Sequence, residues 1–505
     1  MSSALPLIMA ADSGTRRATF AAQVCLTCKS RKKKCDKLLP SCGYCGRKGL
    51  RCRYVRREPS PAHKSKLVEA HCNRNSANVI LTDIPSSELH LFVRIQGLIR
   101  DTGQYVDGIS VRYFEGLHRY LPFISRSHFE DSLMFSGVSP PAELSVLLLS
   151  MCLVTSTPKL GKRISHSPSV KPTDLQSLYM VTKSLLAQVQ SHYPCSLRLV
   201  QSKLLVSVYE YADGRPDQAF ATLAGCARLA YAARLHQCQP QASLRSTGPI
   251  STIHASHQTT DRHGESQEIF NTWWALVICE RSIFCEVTVD EQPLVTLMPK
   301  DDSNLPVEIR CSNWSDVKSQ CPVSSLSVNS IEGFGRVAQA IWLVNKVLMA
   351  FKISNTTSRL TQLRDLDAIS QGFLAQLLQQ HPGSGGIMCE AISITLRMLF
   401  KLHDHILHQI PNDCNDDESV LGTWQMQSRA ALRAATKMVV EIAQAHGNAS
   451  SSAFSFFTIA PSYSYLLRVG LKNLHQQNEE GRCDWLESAE GRLCSELGRF
   501  ETYAL

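Results

Sequence analysis

Apolar residues recur at intervals of three and four positions through most of the chain, whereas the alternation typical of half-buried strands is scarce. Leu178, Leu185 and Val189 share one face of a predicted helix, and Gly214 with Pro216 separates two further helical segments. This pattern extends over roughly 400 residues, which is enough chain to bury a large hydrophobic core. The sequence therefore predicts a large all-α region.

The longest apolar run, residues 144–154, is shorter than the roughly 20 residues that a membrane-spanning helix needs, and polar residues interrupt it. We therefore expect a buried core helix here and no membrane partner. The sequence also lacks a nucleophile elbow, a phosphate-binding glycine loop and a zinc-protease motif. No enzyme activity is expected from these residues.

Positive charge is concentrated in the first part of the chain. Residues 1–60 contain 14 Lys and Arg against three acids, Asp12, Asp36 and Glu58, which gives a net charge of +11. The whole chain carries +9, so residues 61–505 sum to −2. A compact segment this basic attracts the phosphate backbone of nucleic acid, and we expect double-stranded DNA as its partner.

Six cysteines in the basic segment form two copies of C-x2-C-x6-C, offset by 17 residues. Thiolates three residues apart can reach one ion from a single tight turn, and zinc favours four of them in a tetrahedron. Six thiolates complete two such sites only if two of them bridge both ions, and the doubled spacing favours the first cysteine of each copy as the bridge. The predicted ligands are Cys25, Cys28, Cys35 and Cys42 for one zinc, and Cys25, Cys42, Cys45 and Cys52 for the other.

A disulfide framework is the alternative for clustered cysteines, and it requires export. The apolar stretch at residues 4–11 has no basic residue before it, and Arg16 and Arg17 follow it, which is unlike an export signal. Without export the thiols stay reduced, and clustered thiols then favour metal. Six thiolates with two zinc ions lower the charge of the module to about +9.

The sequence around these cysteines, VCLTCKSRKKKCDKLLPSCGYCGRKGLRCRYVRRE, closely resembles the fungal Zn2Cys6 binuclear-cluster transcription factors. The similarity includes the Cys-Asp step at Cys35 and Asp36, and Pro40 two residues before the fourth cysteine. Lys29 departs from the arginine that is common there, and its ammonium group makes a less directional phosphate contact. The resemblance implies a small module of two short helices around two Zn²⁺ ions, which binds DNA in the nucleus.

The segment KSRKKK between Cys28 and Cys35 suits one short helix, because zinc holds both ends and Lys and Arg are good helix formers. By resemblance, Arg31 and Lys32 occupy the base-reading positions, which address a CGG-type triplet through guanine O6 and N7. Nuclear import is an additional role expected for this basic run. The residues assigned to the phosphate backbone are Lys29, Lys33, Lys34, Arg47, Lys48 and Arg51.

Three segments of the helical region resemble the regulatory domain of fungal transcription factors, often called the middle homology region. Asn271 departs from the family pattern, which commonly has a basic residue before the two tryptophans. The resemblance implies an all-helical fold that influences activity, localisation or partner choice and catalyses nothing. The segments are YFEGLHRYLPFISRSHFE at 113–130, YEYADGRPDQAFATLAGCARLAYAARLH at 209–236 and EIFNTWWALVICERSIFCEVTVDEQP at 268–293.

The chain divides into four predicted regions. In the second region, Leu91, Ile95 and Leu98 give an apolar face to a helix of two or three turns, which would allow a homodimer but is short for a coiled coil. The last region is either an acidic-hydrophobic activation segment that contacts the transcription machinery or a closing amphipathic helix. The regions are the DNA-binding module at 20–56, a linker at 57–104, the regulatory domain at 105–475 and the C-terminal segment at 476–505.

Two residue clusters invite a functional interpretation and also have a structural one. Trp273, Trp274 and Arg281 would suit a pocket for a small-molecule effector, but aromatic residues at helical spacing more often pack a core. Three histidines within residues 403–408 would suit a metal, but they lie on a polar helix face without a geometry that requires one. We expect the structural role for both clusters.

These features predict a sequence-specific DNA-binding transcription factor that regulates RNA polymerase II transcription. By resemblance, relatives of this length often activate a single pathway, including clustered biosynthetic genes. The alternative is a repressor or metabolite-sensing regulator, in which the helical body recruits a partner and the zinc module mainly supplies DNA affinity.

Overall fold

A computed structural model shows two compact units, Met1–Thr82 and Asp83–Leu505. The first unit contains two short helices, α1 at Leu26–Ser30 and α2 at Gly43–Arg47. The structure describes residues 24–31, 33–38, 41–49, 52, 88–135, 140–156, 174–238, 256–289, 291–307, 321–328, 330–331, 333–380, 389–409, 418–449, 462–480 and 484–504.

The described residues of the second unit fold into α-helices joined by loops and two short 3-10 turns. The all-α fold class that was predicted from sequence is thus confirmed for this unit. The helices are α3 Glu88–Asp101, α4 Val106–Glu115, α5 Arg126–Phe135, α6 Ala142–Thr155, α7 Leu175–His192, α8 Leu197–Ala212, α9 Pro216–Ala232, α10 Ser256–Phe284, α11 Gly333–Phe351, α12 Thr356–Gln380, α13 Cys389–Leu407, α14 Glu418–Ala449, α15 Tyr463–Glu480 and α16 Asp484–Ala504.

Helix α6 lies at the centre of the first hydrophobic core. It packs against α3, α4, α7 and α8, and nearly all its side chains are buried because neighbours cover every face. Helix α8 packs in turn against α9 and α10. The apolar run at residues 144–154 is thus a core helix, and none of the described helices has the length and apolar character needed to cross a membrane.

Helix α3 belongs to the helical body. Its residues Leu91, Ile95 and Ile99 are buried against α6, while Leu98 is only partly buried. The apolar face that would pair two chains in a coiled coil is therefore already covered within one chain. A homodimer through α3 would have to open this contact.

A second hydrophobic core forms among α13, α14, α15 and α16. Helix α15 runs through residue 476, and α16 follows it with Leu486, Ala489 and Leu493 buried against the preceding helices. The C-terminal segment thus contains the closing amphipathic helix of the two alternatives. Its buried side chains Leu486, Ala489 and Leu493 complete this core.

Candidate zinc centre and nucleic-acid interface

The first half-motif begins with Cys25 at the N-cap of α1. Its backbone is extended, with φ −65° and ψ 149°, and its Sγ accepts a hydrogen bond from the backbone N–H of Cys28 at 3.3 Å. A side-chain acceptor at this position satisfies one of the free N–H groups of the first turn. The C-x2-C spacing therefore places both sulfurs at the start of one helix.

The second half-motif repeats this geometry. Cys42 caps α2 with φ −66° and ψ 149°, and its Sγ accepts from the backbone N–H of Cys45 at 3.4 Å. In addition, the N–H of Cys42 donates to Sγ of Cys52 at 3.4 Å. The repeated spacing in the sequence thus produces two helices of equal length with matching caps.

Sulfur atoms from the two half-motifs converge. Sγ of Cys25 lies 3.7 Å from Sγ of Cys42 and 3.7 Å from Sγ of Cys45, and Sγ of Cys28 lies 3.6 Å from Sγ of Cys42. A tetrahedron of thiolates with Zn–S bonds of about 2.3 Å has edges of about 3.8 Å. A disulfide would require two sulfur atoms about 2.05 Å apart. The spacing fits shared zinc ions and does not fit disulfides.

The sulfurs form two groups of four, each lying within 4.8 Å of one another. Both groups contain Cys25 and Cys42, and their members are the same as the two ligand sets expected from the doubled motif. The first group is Cys25, Cys28, Cys35 and Cys42, and the second is Cys25, Cys42, Cys45 and Cys52. The donor set and its spacing therefore suit two zinc ions.

Burial raises the pKa of three of these thiols, Cys25, Cys28 and Cys45, which keeps them protonated until a cation arrives. Burial and the neighbouring thiols raise the pKa of Cys28, and they raise the pKa of Cys45 to about 12. Burial also raises the pKa of Cys35, but hydrogen bonds with the backbone at Cys25 and Lys37 outweigh it and lower the pKa to about 7. Zinc must displace these protons, so its affinity will fall as the pH falls.

The basic side chains that the structure describes around this centre are exposed, except that of Lys37, which is half-buried. Arg31 follows the last residue of α1 at its C-cap, and Lys48 occupies the same place after α2. Lys32 and Arg51, which were assigned to base and phosphate contacts, lie outside the described residues. The exposed residues are Lys29, Arg31, Lys33, Lys34, Arg47 and Lys48.

Asp36 has a structural role that the sequence pattern did not reveal. Its two carboxylate oxygens accept from the backbone N–H of Gly43 at 3.0 and 2.9 Å, and one of them also accepts from the N–H of Leu38 at 3.3 Å. Lys37, which lies between Asp36 and Leu38, has a left-handed φ of 61°. This carboxylate thus joins the loop after Cys35 to the start of α2. The Cys-Asp step in the sequence was the available signal.

In the second unit, segments 113–130 and 268–293 meet at buried Glu268. Its carboxylate accepts from the N–H of Ser125 at 3.1 Å and from Nε2 of Gln201 at 2.9 Å. Asn271, which stands where the family commonly has a basic residue, donates from Nδ2 to the carbonyl groups of Pro122 and Val307 at 3.1 and 2.8 Å. An amide suits this site because the carbonyl partners carry no full charge to balance a cation.

The cluster of Trp273, Trp274 and Arg281 is packed inside the core. The two tryptophans are 5% and 0% exposed, and Trp273 contacts the ring of Tyr231 edge-on at 5.2 Å between centroids. Arg281 pairs with Glu280 at 2.7 Å and donates to the carbonyl of Thr296 at 2.8 Å. These residues therefore pack the core, which is the structural role expected for them.

The histidines within residues 403–408 have separate surroundings. His403 lies 3.2 Å from Oγ of Ser428, His405 stacks on Phe351, and His408 is exposed. Among the described residues, only the cysteines of the first unit group in a way that could hold a metal.

Two family models match the chain. The fungal Zn(2)-Cys(6) binuclear cluster domain matches residues 23–61, and the fungal specific transcription factor domain matches residues 111–305. The second range contains all three segments that resemble the regulatory domain.

Among curated proteins, the chain is similar to the transcription factor BOA15 of Botryotinia fuckeliana (strain B05.10). The two are 30% identical over 132 residues, which cover 26% of this chain and 68% of the relative. No solved structure matches the chain.

The matches and the geometry agree on both units. The cysteine arrangement suits two zinc ions, the module that carries them is basic, and the helical body packs the segments of the regulatory domain together. A transcription factor of this kind is not an enzyme. The chain belongs to the fungal Zn2Cys6 transcription factors with a middle homology domain, and it is a DNA-binding transcription factor with a site for two zinc ions.

Proposed function

We propose that this protein is a nuclear, sequence-specific regulator of RNA polymerase II transcription that reads a CGG-type triplet. The observation that supports this most is the position of Arg31 at the exposed end of α1, a helix whose first residue is capped by a zinc-site cysteine. A helix held in this way can present its end to the major groove, where a guanidinium suits guanine O6 and N7. Lys32, the next residue, is assigned the same role.

The remaining basic residues are assigned to the phosphate backbone. Lys29, Lys33 and Lys34 lie next to Arg31 and Lys32 in the sequence. Arg47 and Lys48 lie at the end of α2, the corresponding helix of the second half-motif. Contacts of this kind fix the register on DNA and carry no sequence information. Arg51 is included on the sequence pattern alone. The six cysteines are assigned as zinc ligands, with Cys25 and Cys42 bridging.

The helical body is proposed to carry the regulatory role. This body contains the residues that match the fungal specific transcription factor domain. We propose that it activates one pathway, and the repressor or metabolite-sensing alternative would use the same body to recruit a different partner. Fusing residues 83–505 to an unrelated DNA-binding domain and measuring a reporter gene separates these roles. Activation raises reporter output, whereas repression lowers it below the level of the DNA-binding domain alone.

Selection of bound sequences from random DNA tests the readout. We expect the zinc-loaded full chain to enrich a GC-containing triplet, singly or as paired sites. Lys32→Ala should relax the preference within the triplet, whereas Lys48→Ala should weaken binding to all sequences alike. Enrichment of no triplet, or a preference unchanged by Lys32→Ala and by Arg31→Ala, would contradict the proposal.

A further inference from the structure

A cavity of about 250 Å³ lies between α13 and α15 in the second unit, beside the residues that follow α10. Each of the two helices lines it with residues spaced by three and four positions, so one face of each helix borders the cavity. The residues after α10 lie in the range that matches the regulatory-domain model, whereas α13 and α15 lie beyond it. The cavity therefore sits where these two parts of the body meet.

An ion pair closes one side of the cavity. Arg397, whose side chain is only 3% exposed, donates from Nε to Glu286 at 3.0 Å and from Nη2 to the carbonyl of Ser282 at 3.0 Å. The opposite charges of Arg397 and Glu286 cancel, and their side chains are 3% and 17% exposed. This pair forms a neutral side of the cavity.

Two ammonium groups on the remaining lining have little compensation. Nζ of Lys401 makes one long contact, 3.4 Å to the carbonyl of Cys285, and Nζ of Lys472 is 3.9 Å from the carboxylate of Asp404. Within the described part of the chain, no carboxylate lies within ion-pair distance of Lys401. Asp404 is thus paired with Lys472 and Glu286 with Arg397, which leaves the charge of Lys401 uncompensated, and the lining carries a net charge of one positive unit.

Apolar side chains complete the lining. Phe400, which is 4% exposed, and Val469 provide a hydrocarbon surface next to the two ammonium groups. The volume is below the roughly 300–1,000 Å³ of pockets for drug-sized ligands. A site with this charge, surface and size suits a small molecule with one negative charge and a hydrocarbon portion.

We propose that this cavity binds a small organic monocarboxylate, with the carboxylate between Lys401 and Lys472 and the hydrocarbon portion against Phe400 and Val469. A single negative charge brings the lining to neutrality, and charge-assisted hydrogen bonds to ammonium groups are stronger than neutral ones. An occupant would contact both the end of α10 and the helices α13 and α15. Its binding would stabilise that junction by mass action.

Benzoate is the probe, measured by calorimetric titration into the zinc-loaded full chain without DNA. We expect saturable binding to one site, and binding of benzamide, a neutral molecule of the same shape, to be weaker by about tenfold or more. Inorganic phosphate should also bind more weakly, since it has no hydrocarbon portion. Failure of benzoate to bind with a Kd below about 10 mM overturns the proposal. The proposal is also overturned if benzamide or phosphate binds with the same affinity as benzoate.

Charge variants locate the site. Lys401→Gln and Lys472→Gln should each weaken benzoate binding by about tenfold, whereas Lys401→Arg should retain it. Lys300→Gln is the matched control, because it removes the same charge from an exposed position outside the cavity. The assignment is refuted if Lys300→Gln loses as much benzoate affinity as these variants, or if neither Lys401→Gln nor Lys472→Gln loses any. Circular dichroism checks that each variant stays helical, and the DNA-binding proposal is unaffected by either result.

Discussion

Replacing Gly43 with alanine perturbs the contact that joins the two halves of the zinc module. A Cβ at this position would lie 2.4 Å from Oδ2 of Asp36, whereas real Cβ contacts stay beyond 3.0 Å. The carboxylate must therefore move, and its hydrogen bonds to the N–H of Gly43 at 2.9 and 3.0 Å are lost or distorted. A hydrogen bond to a charged group contributes about 1.5–3 kcal/mol, and Asp36 is exposed, so we expect about 1.5 kcal/mol.

A double-mutant cycle isolates this contact. In an Asp36→Ala background the nearest remaining side-chain atom to the new Cβ is Nη1 of Arg47 at 3.5 Å, an ordinary contact. Gly43→Ala should then be neutral or slightly stabilising, since alanine is the better helix former. We therefore expect a coupling free energy of about 1.5 kcal/mol between positions 36 and 43.

The assay is zinc affinity of the full chain, measured by competition with a chelator, because folding of such a module is coupled to metal binding. Gly46→Ala is the matched control in the same helix, since nothing lies within 4 Å of its added Cβ. The reasoning is refuted if the effects of Asp36→Ala and Gly43→Ala add to within about 0.5 kcal/mol. It is also refuted if Gly46→Ala weakens zinc binding as much as Gly43→Ala does.

Three further outcomes follow from the described contacts. Burial lowers the pKa of His118 to about 4 from 6.5, so the unfolded chain takes up this proton first and stability falls as the pH drops below 6.5. His118→Phe should remove about 2 kcal/mol of the loss between pH 7 and pH 5 in urea unfolding of the body, and an unchanged loss would contradict this. Trp274→Ala, at a fully buried position, should cost about 3–5 kcal/mol in the same assay, whereas Met134→Ala at an exposed one should cost little; similar costs would refute the core assignment. Lys48→Ala should reduce the slope of log affinity for DNA against log salt by about one, and an unchanged slope would argue against a phosphate contact.

The zinc module was the most predictable part of the chain because its geometry is set locally. The repeated spacing led directly to the converging sulfurs, whereas the helix expected over KSRKKK begins earlier, at Leu26, and ends at Ser30. The contact between Asp36 and Gly43 was not predictable in this way, since Asp36 lies seven positions before Gly43 and a left-handed Lys37 lies between them.

In the helical body, periodicity identified helices but not their partners. The apolar face of α3 suggested pairing between chains, and only the position of α6 shows that Leu91 and Ile95 are buried within one chain. The C-terminal segment had the same ambiguity, because an activation segment and a core helix share acidic and apolar residues. Long-range packing of Leu486 and Leu493 decides between them, and no local pattern records that packing.

The number of zinc ions per chain, measured by native mass spectrometry on the full-length protein, tests the central claim most directly. We predict two ions for the natural sequence and fewer than two for Cys25→Ala, because this sulfur belongs to both groups of four. Cys195→Ala, which changes an exposed cysteine outside the module, should retain both ions. A single zinc in the natural sequence, or two zinc ions that survive Cys25→Ala, would contradict the shared centre.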